Sequence, residues 1–222
     1  MSEWIELKSA GGAPVAAWLA TPAGAPRGAV VVVQEIFGVN PHIRSVADRF
    51  AAEGYLAIAP AMFDRVEKGV ELAYDQDGMK RGVEIVGKVE REAALADISA
   101  AVVRVASAGK VGVVGFCWGG TMAWLAAAKT DGVSAAVGYY GGGVVGLKDL
   151  KPRAPTILHF GEKDAHIPLA GVREVEAAHP ETPVYVYPAD HGFNCDARGS
   201  YDAPSAKLAW GRTLDFFAKN LR

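Results

Sequence analysis

Apolar residues along this chain fall either into short unbroken blocks or into longer stretches that recur every three or four positions. The blocks Ala29–Val33, Tyr55–Pro60, Lys110–Phe116, Val133–Tyr140, Thr156–Gly161 and Pro183–Pro188 predict strands, and continuous β-branched runs such as Ala29–Val33 mark strands covered on both faces. Helical spacing appears over Pro41–Glu53 (Ile43, Val46, Ala47, Phe50, Ala51), with Gly54 as its stop, and over Thr121–Ala128 and roughly Leu169–Ala178. In Glu90–Ala108 the core stripe is Ala94, Leu95, Ile98, Val102 and Val105, with Glu92, Asp97 and Arg104 off it. The closing segment Ala206–Leu221 places Leu208, Ala209, Thr213, Leu214, Phe216, Phe217 and Leu221 on a core-facing stripe. Before all of these, Glu3–Ser9 and Val15–Ala20 read as a hairpin turning through residues 10–14. Residues 61–88 are the least regular, with a short helix over Asp77–Lys88, and read as an excursion over the sheet's edge.

Strand and helix alternate, so the fold class is α/β: a mostly parallel sheet with helices on both faces, in a single domain over 1–222. Sites in such sheets lie at the carboxyl ends of the strands. Glu35, Cys117, Asp164 and His191 each follow a predicted strand closely. The chain has 222 residues, is half hydrophobic, and carries a formal charge of −2, which leaves no basic field for nucleic acid and no cationic face for anionic membranes. With no leader-like start and no run of membrane-spanning length, a cytoplasmic location and a monomer are the default expectations. Two cysteines make no disulfide framework, and neither a metal nor a cofactor is expected.

The strand–turn–helix around Gly115-Phe116-Cys117-Trp118-Gly119 has the form of a nucleophile elbow with Cys in place of Ser. Alone, Cys117 reads more readily as a small buried hydrophobe than as a nucleophile. The test is whether an acid and a histidine follow in the order nucleophile, acid, base, and both do: Asp164 in Gly161-Glu162-Lys163-Asp164, then His191 in Ala189-Asp190-His191-Gly192-Phe193. Asp190 is a rival acid, but its side chain points away from that of its neighbour; His166 is a rival base placed poorly for the elbow. Cys117 needs activation, since an ordinary thiol is only a few per cent thiolate at neutral pH.

With Gln34-Glu35-Ile36-Phe37-Gly38, Gly115–Gly120, Gly161–Asp164 and His191-Gly192-Phe193 together, the chain resembles the dienelactone hydrolases, carboxymethylenebutenolidase-like α/β-hydrolases with a Cys-His-Asp triad, over nearly its whole length. The resemblance implies a catalytic role for Glu35, which helps deprotonate the cysteine once a carboxylate-bearing substrate takes over its arginine partner; otherwise Glu35 reads as a cap of the following helix. Arg81 looks like one of the family's two arginines. The other lies four residues after the catalytic His in the best-known members, where this chain has Cys195; Arg198, three residues further on, is the candidate here. Backbone N–H groups of Ile36 and Trp118 are the expected oxyanion donors. Phe37, Trp118, Tyr139 and Phe193 are candidates for an aromatic pocket. The implied function is hydrolysis of a small lactone or ester substrate through a Cys117 thioester. A broad carboxylesterase or thioesterase, and a non-catalytic ligand-binding or redox-sensing protein of the same fold, are the alternatives.

Overall fold

Residues 1–9 and 14–222 are described by a computed structural model. The elements run β1 (Ser2–Lys8), β2 (Pro14–Ala20), β3 (Ala29–Val33), α1 (Pro41–Ala52), β4 (Leu56–Pro60), α2 (Gln76–Val86), α3 (Arg91–Val105), β5 (Val111–Phe116), α4 (Trp118–Lys129), β6 (Val133–Tyr139), β7 (Thr156–Gly161), α5 (Leu169–Ala178), β8 (Val184–Tyr187) and α6 (Ala203–Asn220). The strands form one sheet in the order β1-β2-β4-β3-β5-β6-β7-β8. β2 runs against both β1 and β4, and every other pair is parallel. The hairpin is therefore present as a strand pair, while its turn at 10–13 lies outside the described residues.

Alternation along β3 explains the two layers. Val30 and Val32 face a core shared with Ile43 and Phe50 of α1 and Phe217 of α6. Val31 and Val33 face the opposite core, with Ile98 and Val102 of α3 and Met122 and Leu125 of α4. A strand buried on both sides has no polar face to display, which is why its sequence is an unbroken valine run. From β3 the chain goes to β4 on one side, then crosses to β5 on the other and proceeds outward. The carboxyl ends of β3 and β5 thus flank a topological switch point, where a crevice opens.

Caps set helix limits that periodicity leaves open. Asn40 accepts the Ile43 N–H at 3.2 Å and starts α1 with Pro41 next. Asp202 accepts the Ser205 N–H at 2.9 Å, which starts α6 at Ala203, ahead of the expected Ala206. Three expectations need correcting. Leu208 is 51% exposed, because the core face of α6 is centred on Ala209, Thr213 and Phe217. Asp97, placed off the core stripe of α3, is fully buried, gripped by both Nε and Nη2 of Arg65 at 2.9 and 2.7 Å. Residues 61–88 cross the carboxyl ends of the strands rather than the sheet's side edge: Gly82 of α2 packs on the turn after β3 so closely that a Cβ there would lie 2.1 Å from the Ile36 carbonyl oxygen. No helix among the described residues is long and apolar enough to cross a membrane.

Candidate active site

Cys117 occupies the turn between β5 and α4 with φ 55° and ψ −119°, a conformation that side-chain-bearing residues rarely adopt. Its N–H donates to the Tyr139 carbonyl at 3.0 Å and its own carbonyl accepts from Gly120 at 2.9 Å. The flanking glycines are steric necessities. A Cβ at 115 would sit 1.8 Å from the Gly119 oxygen, and one at 119 would sit 2.4 Å from the carbonyl oxygens of Val33 and Gln34. The Gly-x-Cys-x-Gly spacing thus follows from how tightly α4 starts against β3 and β5. Cys117 is half-buried, at the N-terminus of α4, where backbone N–H groups lack helical partners.

Asp164 follows β7 and His191 follows β8. Asp164 Oδ2 lies 2.6 Å from His191 Nδ1, and its Oδ1 accepts the His166 N–H at 2.8 Å. Burial alone would lower the His191 pKa, but the hydrogen bonds it donates to Asp164 and Cys117, and the charges of those groups, outweigh it and push it up to about 10. Burial alone would raise the Asp164 carboxyl, yet the bond to His191 and the His166 N–H hold it below the usual range. Asp190, the rival acid, accepts the His191 backbone N–H at 2.6 Å and leaves the ring to Asp164. His166 meets the His191 ring edge-on, centroids 5.7 Å apart.

Behind the thiol, Glu35 is 1% exposed. Its Oε1 accepts from Arg198 Nη1 at 3.2 Å and its Oε2 from the Tyr74 hydroxyl at 2.7 Å. Asn40, not Glu35, caps the following helix. The Arg198 guanidinium lies 5.7 Å over the Phe37 ring and 5.6 Å over that of Tyr74, contacts that fix a planar cation. The buried Glu35 charge and the short bond to it also push the Tyr74 hydroxyl well above its usual pKa, after burial itself.

Cys117, His191, Ile36, Trp118, Phe37 and Arg198 share the wall of one cavity of about 590 Å³. Arg81 does not reach it: Glu67 and Glu84 engage its guanidinium on the outer side of α2. Among the aromatic candidates, Tyr139 and Phe193 lie in the core instead, Tyr139 bonded to Thr213 at 2.6 Å; Tyr140 is on the wall in their place. Tyr74 and Tyr140 were not singled out from the sequence. Tyr140 shares the strand-end position that pointed to Tyr139, whereas Tyr74 lies in an aperiodic stretch with no local signal. Glu35, His42 and Cys195 offer ligand-type atoms within 4.8 Å of one another. Glu35 is already shared by Arg198 and Tyr74, and burial followed by the Glu35 charge raises the Cys195 thiol to about 11.

The profile of the dienelactone hydrolase family matches residues 15–221. The chain belongs to that family. The carboxymethylenebutenolidase of Pseudomonas putida is 36% identical over 233 aligned positions, covering 98% of this chain and 97% of the relative. A crystal structure from Klebsiella pneumoniae named for a dienelactone hydrolase superposes with a TM-score of 0.89 at 36% identity, over 99% of this chain and 98% of that one. A dienelactone hydrolase-like promiscuous phosphotriesterase from metagenomic libraries shares the fold at 19% identity, with a TM-score of 0.81 over 100% and 99% of the two chains. The sheet and its helices are accordingly those of an α/β-hydrolase, and the family is one of hydrolases.

Proposed function

We propose that this dienelactone hydrolase family member cleaves a small lactone or activated ester through a thioester on Cys117. The observation that carries the reading is the line Asp164–His191–Cys117, closed by a 2.6 Å bond at one end, with Cys117 at the other on the same cavity wall as the imidazole and close enough to raise its pKa. His191 takes the thiol proton, and the sulfur attacks the carbonyl carbon as a thiolate paired with the imidazolium. The carbonyl oxygen becomes an oxyanion held by the N–H groups of Trp118 and Ile36. Collapse breaks the C–O bond, and the alcohol leaves with the proton from His191, or stays tethered if the substrate is a lactone. Water, deprotonated by His191, then cleaves the thioester and returns the thiol. Asp164 holds the imidazole tautomer and stabilises the imidazolium.

The buried Glu35–Arg198 pair supports a preference for substrates bearing a carboxylate, which would compete for the guanidinium and free Glu35 to act on the thiol. The test is turnover of a dienelactone beside a neutral p-nitrophenyl ester. Cys117→Ala should lower both on the order of a thousandfold or more, and Arg198→Gln should lower the preference for the anionic substrate about tenfold. Undiminished turnover in Cys117→Ala would refute the nucleophile assignment. A preference unmoved by Arg198→Gln would favour a broad carboxylesterase.

A further inference from the structure

The cavity extends well past the reacting atoms. Its floor is one face of α4, made of Trp118, Thr121, Met122 and Leu125. At a rise of ~1.5 Å per residue, this floor carries the groove ~10 Å from the elbow. Across it, Met79, Val83 and Val86 repeat along one face of α2 at helical spacing. Val83 is 59% exposed and Met79 42%, although the face of α2 turned to the fold, with Gly78, Gly82 and Ile85, is buried. Two apolar helical stripes therefore face each other across a space that opens on Cys117.

The far end carries a cation. Arg91, the first residue of α3, is on the same wall, and its neighbour Glu92 pairs with Lys129, the last residue of α4. That pair places Arg91 at the end of α4 remote from Cys117. Arg91 forms no ion pair among the described residues, whereas Arg198, at the near end, is held by Glu35. Polarity in the groove is thus concentrated at its two ends.

Which half of an ester uses the groove follows from proton transfer. His191 must protonate the departing alcohol, so the alcohol lies on the side of His191 and His166, and the acyl chain takes the other side, between α2 and α4. We infer that the groove is an acyl subsite for an extended apolar chain ending in an anionic group that Arg91 meets: an ester of a medium-chain dicarboxylic acid, not only a compact lactone. The inference rests on Cys117 being the nucleophile.

The test compares kcat/KM for p-nitrophenyl acetate, p-nitrophenyl decanoate and mono-p-nitrophenyl sebacate, each normalised to its alkaline hydrolysis rate. Decanoate should exceed acetate, by up to about fourfold per methylene that enters the groove, and Val83→Ser should shrink that gain. Arg91→Gln should lower the sebacate-to-decanoate ratio by about fivefold at low salt, the scale of a partly exposed ion pair. Both side chains are solvent-facing enough for the variants to fold. Indifference to chain length, or a ratio untouched by Arg91→Gln, would overturn the acyl subsite while leaving the hydrolase reading intact. Failure of the wild type to turn over any of the three esters and a dienelactone as well would overturn both.

Discussion

At Cys117 the backbone is held at a positive φ that costs on the order of 1–3 kcal/mol, and the surrounding carbonyl contacts leave it no alternative. The strain lifts the sulfur off the sheet toward His191, whose ring lies between a carboxylate and a thiol. That placement has a consequence for stability. The His191 pKa rises from 6.5 to about 10 on folding, so the folded protein keeps a proton that the unfolded chain releases. The stabilisation is complete below the unfolded value and is lost as pH rises through about 10. Urea unfolding at about pH 6, 8 and 10 should therefore show the advantage of wild type over His191→Gln shrinking toward the alkaline end. An advantage that stays flat or grows with pH would contradict the assignment. The neighbouring Glu35 carries a different constraint: a carboxyl group 1% exposed needs hydrogen-bond donors on its oxygens, and Arg198 and Tyr74 supply them.

At the scale of elements, the segment between β4 and α3 links fold and site. Arg65, in the loop after β4, reaches the buried Asp97 of α3 and donates to Ser9 at 2.8 Å, tying this loop to a helix and to the end of β1. Asp97→Ala should cost about 3–5 kcal/mol, because it removes a fully buried carboxylate that accepts from both Nε and Nη2 of Arg65. Denaturant unfolding at neutral pH measures this directly, and a loss under about 1 kcal/mol would mean that water takes over the pairing. Neither this pair nor the path of α2 was legible in the sequence. Periodicity assigns a polar residue such as Asp97 to the outer face and cannot see a partner from another segment. In the same way, Arg81 carries the family's residue type at a family-like position, but Glu67 and Glu84 draw it outward. Arg198 was within reach of sequence reasoning because it follows the His191 loop, yet its contact with Glu35 depends on how that loop folds back. The regular elements were legible because unbroken valine runs and i, i+3, i+4 stripes have few other ways to bury themselves.

Across the whole molecule, the sheet order brings four separate strand ends to one crevice: Glu35 and Cys117 flank the switch point, and Asp164 and His191 arrive from the two outermost parallel strands. The order nucleophile, acid, histidine could be read in the chain because each residue follows a strand and the strands are laid down outward in sequence. The reach of the cavity along α4 could not, since it depends on the gap between two helices packed from different segments. Everything proposed for the site converges on one covalent species, the acyl group on the Cys117 sulfur. The direct measurement is intact-protein and peptide mass spectrometry of enzyme acid-quenched during turnover of a slowly hydrolysed ester. The expected result is a mass gain equal to the acyl group, located on the peptide bearing Cys117 and absent from Cys117→Ala. An acyl group found on another residue, or turnover of that ester by the wild type with no acylated species at any quench time, would contradict it.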